Sequence, residues 1–404
     1  MSRKTIITIV LVLEVLLLAA AVGAFVFLEI RDRTPDPTTT AATTTAPVTT
    51  ATPTTQETTV PETTEETTVP VTTEPEPQPI YYTLSFAGDC TLGNFKDDYG
   101  SVGSFMGTVG DNYAYPFEKV QQWFAGDDFT LVNFEGTLTD HTGAVDKTFN
   151  FHAPPAYAAI LTAGSVEGVT ISNNHTMDYG EIGYADTIAA LKKEGIAFAG
   201  TDESFLYITE TGLKIGVYAN KFWLSDGELK KGIESLREQG AEIVIFSMHW
   251  GEEGAYKPTV DQKYYAHAAI DYGADIVFGH HPHVLQPIEE YGGGYILYSM
   301  GNFSFGGNRW PSDTDSAIVQ VEVMRDVDGL VHLEGLNIVP VSISGEAWYN
   351  NYQPVALEPD TWAYQRVLDK LSGAFEPPKP PEPEETTVPT VTEEEEPTDS
   401  SETT

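Results

Sequence analysis

GADIVFGHHPHVLQPIE, residues 273 to 289, decides the fold. Its first half is an apolar run of strand length, ADIVFG, and three histidines follow at once: His280, His281 and His283. The segment before it, KYYAHAAIDYG, spaces its apolar residues by three and four and stops at a glycine, which suits the left-handed end of a helix. A helix, a buried strand and then metal-ligating side chains is the order of an α/β unit with chemistry at the strand's carboxyl end.

Reading outward in both directions, the same unit recurs. Further strand candidates are YYTLSFAG, FTLVNF, VEGVTIS, LKIGVYAN, AEIVIFSM, YILYSM, SAIVQVEV and LNIVPVSI. Helix candidates between them are PFEKVQQWFAG, PPAYAAILTAG, GYADTIAALKKEG and DGELKKGIESLREQG. Apolar runs that do not alternate strictly imply a parallel or mixed sheet covered by helices. The late strands, from Tyr295 to about Ser344, have no helices between them and are expected to form a second, more antiparallel sheet.

The flanks are of another kind. Thr34 to Pro79 is almost wholly Thr, Pro, Glu and Ala, and Glu376 to Thr404 repeats that composition with a run of glutamates. Neither offers enough apolar surface to offset the entropy of ordering it. The expected organisation is a cytoplasmic stub and anchor over 1–33, a disordered linker over 34–79, a folded domain over 80–345, an extension packing on it over 346–375, and a disordered acidic tail over 376–404. The run from Thr5 to Ile30 follows Arg3 and Lys4 and is long enough to span a bilayer. A transmembrane anchor leaves the domain outside the cytoplasm by the positive-inside rule. The small-residue stretch Ala21 to Ala24 keeps a cleaved, secreted form as the alternative.

The formal charge of -39, with no Lys/Arg cluster beyond the N-terminus, excludes nucleic acid as a partner. One cysteine, Cys90, excludes an intrachain disulfide framework. Cys90 reads as a small buried residue beside Asp89 and not as a nucleophile.

The polar residues that follow the strands form a pattern. Asp89 follows LSFAG; Asn133 and Glu135 lie in VNFEG; Asn173, Asn174 and His175 follow VTIS. His249 follows IVIFSM, and Asn302 follows LYSMG. Carboxylate, imidazole and amide oxygen together suit a divalent cation, with Mn, Zn, Fe and Mg all admissible. Two cations about 3.5–4 Å apart would stabilise the attacking and leaving oxygens of a displacement at phosphorus. Asp89, Glu135, Asn174, His249, His281 and His283 supply the ligands, which leaves His175 for proton transfer. Asp178 either orients His175 or caps the next helix. Asn133, Asn173, Trp250, Gln286 and Asn302 are candidates for substrate contact or for support of the ligands, packing being an equal account of Trp250. His280 is expected to point away from the cluster, because neighbours on an extended chain diverge.

In order, FAGDCTLG, VNFEGTLTD, SNNHTMDYG, SMHWGEEG, GADIVFGHHPHVLQPIE and YSMGNFSFG resemble the motif series of the CapA family of bacterial capsule or poly-γ-glutamate synthesis proteins, over about Tyr82 to Val341. That family is in turn similar to the calcineurin-like metallophosphoesterases. The resemblance implies a four-layer α/β/β/α sandwich with mixed sheets and a cation site at the strand ends. It implies that Asn174 binds metal and His175 acts as acid, that His281 and His283 are a His-x-His ligand pair, and that His249 is the isolated ligand. Two departures stand out. Cys90-Thr91 follows Asp89 where the phosphoesterases have Asp-x-His, and Glu135 with Asn133 replaces a bridging aspartate. One cation position thus loses an imidazole, and a single-metal site follows as naturally as a pair.

The functional expectation is a membrane-anchored surface protein taking part in synthesis, export or anchoring of an anionic surface polymer, through a metal-dependent hydrolase site. The alternative is a non-catalytic scaffold or polymer-binding subunit of a membrane synthase complex. Expected partners are the membrane, the polymer and other synthase subunits.

Overall fold

The computed structural model describes residues 76–96, 101–201 and 203–378, all within one compact unit, Glu74–Thr404. The expected anchor, nearly all of the linker and nearly all of the acidic tail lie outside the described residues. Among the described residues no helix is long and apolar enough to cross a membrane.

Two mixed sheets face each other. The first is built on β1 (Ile80–Thr91), β3 (Phe129–Phe134), β6 (Gly168–Thr170) and β7 (Ala197–Ala199), neighbours in that order and parallel. The second holds β9 (Lys214–Asn220), β10 (Ile243–His249), β11 (Ile276–His280) and β13 (Gly294–Leu297), also parallel. Its edges are antiparallel: β8 (Phe205–Ile208) beside β9 and β12 (Ile288–Tyr291) beside β13.

Side chains on these strands alternate between two buried environments, which is why the runs read as continuously apolar. Phe129 and Leu131 of the first sheet share one core with Ile243, Ile245, Ile276 and Phe278 of the second. Val132 and Phe134 point the other way, into a core with Leu161, Ala190 and Leu191. Val244, Phe246, Met248 and Val277 meet Leu229, Ile233, Leu236 and Ala266 on the far side of the second sheet. The result is four layers, helices outside and two sheets within.

The outer helices end as their sequences require. The helix Gly180–Glu194 stops at Gly195 with φ 76°, a left-handed cap open to glycine at no steric cost. The helices Asp226–Glu238 and Val260–Asp271 begin with capping boxes, Ser225 with Glu228 and Thr259 with Gln262.

Two expectations fail. The late strands do not make a sheet of their own: β13 joins the second sheet beside β11, while β15 (Asp315–Arg325) and β16 (Val331–Ser342) extend the first sheet antiparallel to β1. An antiparallel hairpin needs only one free edge, and β1 supplies it. PFEKVQQWFAG is mostly turn, helical only over Gln121–Phe124, and the turn already delivers Phe117, Val120 and Phe124 to the core beside Phe303. Beyond residue 345, β17 (Val355–Ala356) pairs with β16, and the helix Trp362–Ser372 buries Val367 and Leu371 in the inter-sheet core.

Candidate metal centre

Because the central strands of both sheets are parallel, their carboxyl ends meet at one rim. Asp89 sits near the end of β1, Asn133 near the end of β3, and Glu135 just past it; His249 closes β10 and His280 closes β11. Asn302 opens β14 (Asn302–Phe305), which pairs with β1 opposite Asp89. Gly88 allows this approach: a Cβ there would stand 2.1 Å from the Gly301 carbonyl oxygen.

Asparagines fix the carboxylate beneath. Asn133 Nδ2 donates to Asp89 Oδ1 at 2.8 Å, while its Oδ1 accepts from Thr170 Oγ1 and from Asn173 Nδ2, both at 3.2 Å. Asn133 and Asn173 thus act as struts within the first sheet, their amides consumed by protein partners. From the second sheet, His280 Nδ1 comes within 3.0 Å of Asp89 Oδ1, and His283 Nδ1 within 3.3 Å of Oδ2. His280 therefore does not point out of the site. Its ring diverges from that of His281, as expected, but into the buried layer under the cluster.

The histidine segment leaves extended geometry at this point. His281 has φ 97° and His283 φ 56°, positive values that cost a non-glycine residue about 1–3 kcal/mol each and persist where surroundings impose them. The turn brings the His281 ring to 4.7 Å from that of His249, and holds His283 Nδ1 2.9 Å from Asn302 Oδ1.

Glu135 lies at the middle. Its Oε1 is 3.8 Å from His175 Nε2 and 3.8 Å from His249 Nε2; its Oε2 is 3.9 Å from His283 Nδ1. Both oxygens are buried and neither has a hydrogen-bond donor, and both ring nitrogens of His249 and Nδ1 of His281 are likewise buried without a partner. Leaving ionisable groups this way costs several kcal/mol each unless a charge arrives to pair them. Carboxylates and imidazoles converging with their lone pairs unspent are the donor set of a borderline divalent cation, so the residues fit the expected group. Asp89, Glu135 and His283 offer ligand atoms all within 4.8 Å of one another, as do Glu253, His281 and His283.

Electrostatics agree with the geometry. Burial, with Asp89, Asp178 and Glu253 nearby, pushes the Glu135 carboxyl up to about 8 against the pull of His283. Burial opposes a charge on His283, yet Glu135 and Asp89 outweigh it and raise the imidazole to about 10. Burial also disfavours the Asp89 charge, but His280 and His283 hold that carboxyl well below its usual range. His249, with burial dominant, is drawn well below an ordinary imidazole and so is ready to ligate as the neutral ring. Burial pushes the Cys90 thiol up to about 12, which makes it inert.

On one flank stands His175. Its Nδ1 is 2.7 Å from Asp178 Oδ2, leaving Nε2 toward Glu135. Asp178 also accepts from Lys147 Nζ at 2.7 Å and from the Phe151 amide at 2.7 Å. It orients His175 and caps no helix: the next helix has Tyr179 at its N-cap.

Two clefts open beside the cluster. One, of about 400 Å³, is lined by Asn174, Lys221, Trp223, His249 and His281 among others, with the Asn174 side chain exposed on its wall. Another, of about 380 Å³, is walled by Phe95, Phe149, Phe151 and Phe305 and reaches His175, His283 and Glu253. Trp250 lines the first cleft, but its Nε1 is committed to the Tyr298 carbonyl at 2.9 Å. Gln286 is turned elsewhere, accepting from Gln262 at 2.9 Å and donating to the Ala255 carbonyl at 2.7 Å, so it braces the loop after β10 and does not border the cluster. Glu253 and Lys147 escape a reading of strand ends, since both lie in loops, whereas Lys221 directly follows β9 and escapes because an ammonium is no cation ligand; the glutamate pair after His249-Trp250 was the available signal for Glu253.

The architecture and its rim define an α/β protein of two mixed sheets with a candidate cation centre of carboxylates and imidazoles. A family model described as bacterial capsule synthesis protein PGA_cap matches residues 83–307, more than half of the chain. The chain belongs to this family. It is 30% identical over 285 residues to the capsule biosynthesis protein CapA of Bacillus anthracis, covering 63% of this chain and 67% of that one. It is 30% identical over 280 residues to the PGA biosynthesis protein CapA of Bacillus subtilis (strain 168), covering 63% and 71%. Among solved structures it is similar to the NAD nucleotidase NadN of Haemophilus influenzae, at 14% identity and TM-score 0.38 over 73% of this chain and 63% of that chain.

Proposed function

We propose that this protein serves the synthesis, export or anchoring of an anionic surface polymer of the capsule or poly-γ-glutamate kind, as a metal-dependent hydrolase of the phosphoesterase type held outside the cell by its N-terminal segment. The observation that carries the reading is Glu135: a buried carboxylate without a donor, with imidazoles on both sides. Its Oε2 side, with Asp89 and His283, would hold one cation, and its Oε1 side, with His249, His281 and Asn174, the other. A divalent cation bound there would polarise a phosphoryl oxygen and activate water.

The chain's own groups supply the rest. His175, oriented by Asp178 through Nδ1, presents Nε2 for proton delivery to a leaving oxygen, a role worth about 10²–10⁴-fold in rate. Phe149 and Phe151 wall the cleft on that side.

The test is metal content of the purified chain together with turnover of a chromogenic phosphodiester in Mn²⁺. One cation or more with turnover is expected, and His281→Ala should lose the cation on the His249 side together with turnover; a full metal complement in His281→Ala would refute the ligand assignment. A non-catalytic scaffold is the second reading, favoured by the departure after Asp89: Thr91 Oγ1 and Cys90 are buried where an imidazole ligand would stand. Metal without turnover on any phosphoester supports that reading.

A further inference from the structure

The cleft on the His249 side carries a charge that the proposed chemistry does not use. Asn173 and Asn174 each accept a lysine through the backbone: Lys221 Nζ donates to the Asn173 carbonyl at 2.9 Å, and Lys147 Nζ to the Asn174 carbonyl at 3.0 Å. The two ammoniums differ in one respect. Lys147 is neutralised by Asp178 at 2.7 Å, whereas Lys221 forms no ion pair among the described residues.

The surroundings sharpen the difference. Lys221 shares its cleft with Asn174, His249 and His281, and no carboxylate lines it. Lys221 Nζ stands 5.4 Å from the Phe222 ring, and Trp223 lines the same cleft, the two aromatics being 59% and 49% exposed. In a chain of formal charge -39, an unpaired ammonium in an acid-free cleft beside the cluster is a local inversion of field. The opposite cleft differs in having a carboxylate, Glu253, on its wall. An ammonium is a compact point charge with three donors, of which one is spent on Asn173. As a single point charge it suits one monoanionic oxygen group.

We infer that Lys221 is the anion-recognising arm of a substrate subsite: a carboxylate of the substrate, separate from the group reacting at the cluster, docks on this ammonium in the cleft that Phe222 and Trp223 line. The inference rests on the reading of the cluster as a metal centre. It gives the substrate a direction, with its anionic arm toward Lys221 and its neutral or cationic part toward Glu253.

The experiment compares glutarate with monomethyl glutarate as ligands of the full-length chain loaded with Mn²⁺, by calorimetry. One carboxylate of each reaches the cluster; only glutarate carries the second. Wild type is expected to bind glutarate about tenfold more tightly, the size of one charge-assisted hydrogen bond. Lys221→Met should erase that difference, Lys221→Arg should retain it, and the exposed-helix control Lys230→Met should leave it intact. The Mn²⁺ content of Lys221→Met, measured alongside, reports on the metal centre independently. Equal binding of the two ligands by wild type would overturn the subsite whatever the metal content. So would a Lys221→Met variant that loses affinity for both ligands in equal proportion, which would make Lys221 a brace for the Asn173 loop and not a reader of charge.

Discussion

Glu135 Oε1 lies 3.8 Å from His249 Nε2, and no protein donor reaches either atom. One residue comes from the first sheet and the other from the second, so the contact exists only because two parallel sheets end at the same rim. A buried carboxylate and imidazole this close, neither with a hydrogen-bond partner, would suit a divalent cation as its ligands.

The two sides of Glu135 should therefore be separable. His283→Ala should lose the cation on the Asp89 side and His249→Ala the one on the Asn174 side, each lowering stoichiometry by one, while Glu135→Ala loses both. Metal analysis after gel filtration reads this directly. Equal stoichiometry in all three would make Glu135 a structural carboxylate.

Asp178 acts on the reacting atoms only through His175. Asp178→Asn should lower turnover by about 10–100-fold, the usual effect of removing a group that orients a functional histidine. Metal content should not change. The pH–rate profile should shift as the imidazole loses its partner, and a variant with unchanged profile and rate would remove Asp178 from the mechanism.

The C-terminal helix is held by buried charges. Lys370 Nζ lies 2.5 Å from Asp313 and 2.7 Å from Asp315, and Arg366 closes on Asp315 as well. Lys370→Met takes the ammonium from Asp313 and leaves Asp315 to Arg366 alone, and should cost about 3–5 kcal/mol in denaturant unfolding. Burial opposes the Asp315 charge, but Arg366 and Lys370 outweigh it and hold the carboxyl below its usual value. A folded-state value below the unfolded one stabilises at neutral pH, and that contribution is lost as pH falls from the ordinary carboxylate range through the lowered folded-state value. Stability should thus decline in acid, and the decline should be smaller in Asp315→Asn. A wild type indifferent to acid would contradict this.

Cys90 is buried, and its thiol is pushed up to about 12 by that burial. Native protein should resist iodoacetamide at pH 8 and label in denaturant at the rate of a free thiol. As the chain's one cysteine it then reports global unfolding. Rapid labelling of the native state would place Cys90 in an open loop.

Much of the architecture was legible because buried parallel strands and glycine-stopped helices leave strong local patterns. Asp89, Glu135, His249, His281 and His283 come together because strand ends share one rim, a rule of topology readable along the chain. Partnerships across space were not legible. His280 diverges from His281 yet lands beside Asp89, because the chain leaves extended geometry at His281, and positive φ at a histidine has no sequence signature. Gln286 sat three residues past His283 in sequence, yet hydrogen bonding to Gln262 took it elsewhere. The placement of β15 and β16 depended on which edge of β1 stood free, a property of the assembled sheet.

Anomalous scattering from a crystal of the chain soaked in Mn²⁺ tests the central claim most directly. Cation density is expected at about 2.0–2.2 Å from Glu135, flanked by Asp89 and His283 on one side or by His249 and His281 on the other. Density confined to the exposed Glu253, or none within bonding distance of Glu135, would contradict it.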